Sequence, residues 1–90
     1  SKSGLDGLMR QLSFEFGKHN IRINSLNPSQ TMTEMLRKSM NKKQIQNLEK
    51  QIPLGRIASV KEQTNVIIFL LSNLSSYIHG TSIKVDGGQI

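Results

Sequence analysis

The sequence predicts an α/β fold with two parallel strands, and three observations carry that prediction. Leu5, Leu8, Met9, Leu12 and Phe16 fall at helical spacing, and a dense apolar run, VIIFLL at Val66–Leu71, belongs to a second helical segment. Two short stretches, IRINSLNP and TSIKVDGG, alternate apolar and polar residues as strands do. The long helical stretch between them rules out a hairpin, so the strands pair through a crossover and run parallel.

The elements follow in order. The first helix carries Gly4 and Gly7, each costing roughly 1 kcal/mol relative to Ala, which suggests close approach by another backbone. Gly17 supplies a stop that tolerates positive φ, with Lys18 and His19 beside the negative helix end, so His19 reads as a helix-end residue. A strand follows from Ile21 to Pro28. Two short helices then run from Thr33 to about Leu48, with Met35, Leu36, Met40, Ile45 and Leu48 as their apolar set and Thr33 with Glu34 as a helix start. Pro53 and Gly55 interrupt the chain. Ser59, three residues before Glu62, forms a capping-box pattern ahead of VKEQTNVIIFLLSN, a helix apolar enough to be mostly buried. SSYIHG is a turn, and the last strand ends at two glycines.

Composition bounds the function. Ninety residues make at most one domain, with a thin core. Cysteine is absent, which removes disulfide scaffolds and thiolate metal sites, and two isolated histidines make no zinc site. No metal is expected. The longest apolar run falls far short of the roughly 20 residues of a membrane helix, and no signal-peptide layout is present. A cytoplasmic setting agrees with both absences. The net charge of +6 concentrates in LRKSMNKKQIQNLEKQ, where Arg37, Lys38, Lys42, Lys43 and Lys50 read as a solvated helix face. Without aromatic interleaving or a recognition-helix pattern, no nucleic-acid partner is expected.

A two-stranded parallel sheet standing alone leaves its faces open, so the chain reads as the end of a larger α/β domain. SKSGLDGL, HNIRINSLNPSQTMTEM, IPLGRIAS, FLLSNLSSYIHG and IKVDGG, in that order across nearly all 90 residues, resemble the C-terminal portion of a classical short-chain dehydrogenase/reductase. The resemblance implies the C-terminal part of a doubly wound Rossmann-like domain: helix, strand, two short helices, buried helix, strand. Residues 1–90 are then expected to lack the N-terminal dinucleotide-binding half with its glycine-rich turn. NSLNP followed by MTEM is similar to the carbonyl reductase and L-xylulose reductase branch, which implies NADP somewhat ahead of NAD.

In that family a Tyr-x-x-x-Lys pair opens the helix that enters this chain, and Lys2 matches the lysine. The resemblance makes Lys2 catalytic and cofactor-binding: its ammonium favours the phenolate and it bonds the nicotinamide ribose. The local sequence keeps a second reading open, because Ser3 three residues before Asp6 is a capping-box pattern that leaves Lys2 outside the helix. The family's Asn-Pro-Gly strand end implies cofactor contacts at Pro28, Ser29, Thr31 and Thr33, with Ser29 replacing the usual glycine and Thr31 the usual aliphatic. The segment from Thr33 to Gln51 matches the family's substrate-covering lid, which makes Met32, Met35 and Met40 pocket-lining candidates. Tyr77 reads as a packing or interface residue and His79 as a non-catalytic turn residue.

The implied activity of the complete enzyme is hydride transfer between nicotinamide and a small carbonyl or alcohol substrate, in a homo-oligomeric dimer or tetramer. With no catalytic serine, tyrosine or dinucleotide loop, the isolated chain is expected to be inactive and to bind no NAD(P)H measurably. The alternative from a different class is a stand-alone, non-catalytic association module with a basic helical face.

Overall fold

The computed structural model describes residues 2–89, apart from the side chains of Lys2 and Ser3. The elements are α1 (Lys2–Gly17), β1 (Ser25–Pro28), β2 (Thr31–Met32), α2 (Glu34–Ser39), α3 (Lys42–Lys50), β3 (Ala58–Ser59), α4 (Val60–Leu71), a 3-10 turn (Asn73–Ser75) and β4 (Ser82–Val85). Strand β1 neighbours β4, and β2 neighbours β3. Along the first pair, the Ser25 N–H donates to the Thr81 carbonyl and the Ser29 N–H to the Val85 carbonyl, so both strands advance together and pair in parallel as the sequence predicts. The second pair is also parallel, with Thr31 opposite Ala58 and Met32 opposite Ser59, and it is absent from the sequence reading. Two-residue strands have no alternation to detect.

The chain divides into two compact units. The first comprises residues 1–27 and 67–83. Its buried residues are Met9, Ser13 and Ser75, and the Ser13 hydroxyl lies 2.8 Å from the Met9 carbonyl that accepts from it. Strand β1 starts four residues later than predicted: in the 21–24 segment one backbone bond, from the Gly80 N–H to the Ile23 carbonyl, reaches the chain ahead of β4, and side chains supply the other contacts. Arg22 there points its guanidinium at the carbonyls of Ser72, Ser75 and Ile78, and the Asn24 amide donates to the Ile78 carbonyl. Helix α1 extends through Gly17, and the left-handed residue at its exit is Asn20, with φ 59°, not the glycine. Among the described residues Gly7 has no neighbour within 4 Å of where a Cβ would stand, so none of them brings another backbone against it.

The second unit comprises residues 28–66 and 84–90. Ile52, Ile57 and Gln63 are its buried residues. Gly87, with φ 64°, lies where an added Cβ would come within 2.8 Å of Ile52, and its carbonyl accepts the Leu54 N–H at 3.0 Å. The terminal glycine pair is thus required by the packing of the Pro53–Gly55 turn as well as by its own backbone.

Helix α4 departs from expectation. Gln63 is its buried residue, whereas Ile67, Ile68, Phe69 and Leu71 are exposed, Leu71 at 79%. The stripe on α1 behaves alike: Met9 is buried and Leu5, Leu8 and Phe16 are exposed. Apolar content sets how much a helix gains by burial, but packing partners decide whether it is buried. No helix among the described residues is long and apolar enough to cross a membrane.

Candidate functional site

The site builds from the loop that leaves β1. Pro28 is the last residue of β1, and its missing N–H leaves the β4 ladder intact because the donors that face β4, at Ser25 and Ser29, alternate with it. Ser29 then donates its N–H to Val85 at 3.2 Å. Its φ is not in the left-handed region, so the serine occupies this position without the strain that a glycine would otherwise be needed to relieve. The Thr31 hydroxyl donates to the Ser29 carbonyl at 3.3 Å, and the Thr33 N–H donates to the Thr31 carbonyl at 2.8 Å. Thr33 is the N-cap of α2, its hydroxyl oxygen accepting the Leu36 N–H at 3.2 Å, as the sequence predicts.

An open groove of about 660 Å³ lies against this loop. Pro28, Ser29, Thr31 and Thr33 all line it, with Gln30, Leu48, Gln51 and Gln89. Four predicted residues therefore meet on one surface. The lining carries no charge. It offers neutral donors and acceptors around two apolar side chains, Pro28 and Leu48, a donor set that matches a neutral amide better than a phosphate. The three glutamines lie outside the sequence reading, and no local pattern marks them, since Gln51 and Gln89 join the loop only through the fold.

The remaining predicted residues lie elsewhere. Lys2 is in the first turn of α1 and its side chain is outside the described residues, as is that of Ser3. Met32 sits in β2 and half-buried Met40 ends α2, while Met35 on α2 is 80% exposed; none of the three lines the groove. Helix α3 begins with a capping box missed in the sequence, although its Asn-x-x-Gln pattern is legible. Asn41 Oδ1 accepts the Gln44 N–H at 2.8 Å, and the Asn41 N–H donates to Gln44 Oε1 at 2.9 Å.

The predicted capping box at Ser59 is present in both directions: the Glu62 N–H donates to Ser59 Oγ at 3.1 Å, and the Ser59 N–H to Glu62 Oε1 at 2.9 Å. Glu62 also takes a bidentate pair of hydrogen bonds from Arg56, both at 2.6 Å. The Arg56 guanidinium first, and the Ser59 N–H second, hold the Glu62 carboxyl down to about 2. Ser29 shares a small cavity of about 90 Å³ with Arg56, Glu62 and Val85.

Comparisons with known proteins identify the fold and the family. Residues 1–89 match the family model described as enoyl-(acyl carrier protein) reductase. The chain is 42% identical over 89 residues to D-erythrulose reductase of Gallus gallus and 39% identical over 89 residues to L-xylulose reductase of Bos taurus. Each match covers 98% of this chain and 36% of the relative, so the chain spans about a third of the length of these relatives. The structure is similar to that of Cj0485 dehydrogenase, with a TM-score of 0.91 at 32% identity over 99% of this chain and 36% of that one. It is also similar to YwfH, an NADPH-dependent reductase involved in bacilysin biosynthesis, with a TM-score of 0.86 at 30% identity over 98% of this chain and 37% of that one. The fold is accordingly α/β and Rossmann-like, and the chain belongs to the short-chain dehydrogenase/reductase family.

Proposed function

We propose that this chain forms the C-terminal portion of an NAD(P)-dependent oxidoreductase domain acting on a small carbonyl or alcohol substrate. The observation that carries the reading is the groove, which gathers Pro28, Ser29, Thr31 and Thr33 into one uncharged polar lining. That lining suits the carboxamide end of a nicotinamide. When bound, the nicotinamide supplies the hydride acceptor or donor. Because the Thr33 oxygen already accepts the Leu36 N–H, its hydroxyl hydrogen is left to donate to a carbonyl oxygen. The Thr31 hydroxyl donates to Ser29 and keeps lone pairs for an amide N–H. Lys2 serves in this reading as the cation that favours a phenolate and bonds the ribose, a role resting on the family resemblance. Met32, Met35 and Met40 belong to the substrate-covering segment, and the large exposure of Met35 supports that part of the reading.

The similarity to L-xylulose and D-erythrulose reductases favours small polyol or ketose substrates, and that to an NADPH-dependent reductase favours NADP. A homo-oligomer is expected by the same analogy.

The test replaces the matching third of the chicken D-erythrulose reductase with residues 1–89. The folded chimera should bind NADPH, seen by fluorescence, and reduce a ketose. Thr33→Val should raise its KM for NADPH. A folded chimera that binds neither NADPH nor NADH sinks the reading. The 90-residue chain alone should show no measurable NAD(P)H binding.

A further inference from the structure

Two adjacent residues of the first turns of α4 hold the groove loop at two places. Gln63 is 8% exposed, and its Nε2 donates to the Val85 carbonyl at 3.1 Å. That carbonyl also accepts the Ser29 N–H at 3.2 Å. The amide therefore reaches the start of the loop through one shared oxygen. Gln63 Oε1 is buried and has no hydrogen-bond partner among the described residues. A residue that merely filled this space would be apolar, because an orphaned buried oxygen is unfavourable. The favourable part of the arrangement is the Nε2 contact.

Glu62 acts on the middle of the loop. Its carboxylate binds Arg56 through both oxygens and takes the Ser59 N–H. Ser59 and Ala58 are the residues of β3 that face Met32 and Thr31 of β2. The three donors thus fix the short strand on which the groove's Thr31 depends. An exposed ion pair adds little to global stability, but bidentate geometry restrains the local backbone. The contacts from Ser29 to Thr31 and from Thr31 to Thr33 then join the two anchors within the loop.

We infer that Glu62 and Gln63 are positioning residues for the Ser29–Thr33 loop, Gln63 through the Val85 carbonyl and Glu62 through β3. The consequence for cofactor binding rests on the proposed function; the positioning itself does not.

Amide exchange of the 90-residue chain, followed by NMR, tests the positioning without any cofactor. Gln63→Leu should speed exchange at Ser29 roughly two- to tenfold, the range expected for loss of one hydrogen bond, with Met9 and Ser13 of α1 unchanged. Gln63→Met serves as a second variant of similar length. Glu62→Gln should speed exchange at Thr31, Met32 and Thr33, and Arg56→Met should reproduce that pattern. Unchanged loop exchange, or equal acceleration in α1 and the loop, overturns the inference. In the chimera, Gln63→Leu should raise the KM for NADPH with a smaller change in kcat. A loosened loop with an unchanged KM upholds the positioning and overturns the assignment of the groove to the cofactor.

Discussion

The His79 imidazole bonds the carbonyl of Ser13, with Nε2 and the oxygen 2.7 Å apart. On the other side of the ring, Nδ1 accepts the Ile23 N–H at 3.1 Å, so Nε2 carries the hydrogen and donates it to Ser13. The turn residue therefore ties helix α1 to the segment that leads into β1. A Cβ at Gly17 would stand 3.1 Å from the same Nε2. The glycine gives the imidazole room, since a Cβ there would require the ring to shift by a few tenths of an ångström, whereas the sequence suggests a left-handed helix stop.

A double-mutant cycle checks that relationship. His79→Ala should lower stability by about 1–2 kcal/mol for two lost hydrogen bonds. Gly17→Ala should be neutral or destabilising in the parent chain, where the imidazole must give way. In the His79→Ala background it should become stabilising by up to about 1 kcal/mol, the usual helix gain of Ala over Gly. Additive effects in urea unfolding would refute the contact.

Arg22 makes a second prediction. Its Nη1 lies 2.8 Å from the Ser75 carbonyl and 3.0 Å from Ser75 Oγ, and Nη2 lies 3.2 Å from the Ser72 carbonyl. These acceptors belong to the turn after α4, where the Ser72 and Ser75 carbonyls also accept the Ser75 and Ile78 N–H groups, so the guanidinium adds a further bond to each. A lysine has one ammonium and cannot span them. Arg22→Lys should cost about 1–3 kcal/mol, read as a lower urea midpoint with an unchanged slope.

Acid should affect the Arg56–Glu62 bracket within a defined window. Glu62 lies at about 2 in the folded chain against an ordinary 4.5. The folded value is depressed, so its contribution to stability is fully present above about 4.5 and is lost as the pH falls through about 2. Glu62→Gln should remove this part of the acid dependence, and Arg56→Met should move the Glu62 carboxyl titration, followed by NMR, back toward 4.5. A carboxyl titrating near 4.5 in the parent chain would contradict the bracket.

Thr33 links local structure to the groove. Thr33→Ala removes the cap on α2 and should cost about 0.5–2 kcal/mol, while Thr33→Ser should retain it. Thr33→Asp separates cap from ligand contact in the chimera: the carboxylate still caps α2 but has no hydrogen to donate, so the KM for NADPH should rise while the helix stays capped, whereas serine should keep the KM close to that of threonine.

The parts legible in the sequence are those governed by neighbours within about four residues. Thr33, Ser59 and Glu62 announce helix starts because a cap is a contact between a side chain and an N–H two or three positions on. The Asn41 cap follows the same rule and was readable on the same terms. The two longer strands and their parallel pairing follow from alternation and from the length of the intervening chain. Four groove residues, Pro28, Ser29, Thr31 and Thr33, were reachable because they lie within six positions of one another in a recognisable order.

The sequence by itself determined the α/β class, the order of the helices and the two longer strands, the principal turns and the family. Only the tertiary structure decided that β2 pairs with β3, that Gln51 and Gln89 join the loop, and that His79 reaches Ser13 and Ile23. The reason is range. Caps, turns and strand alternation are set by local sterics and hydrogen bonding, whereas these contacts join residues far apart in the chain, and their partners exist only once its path is fixed.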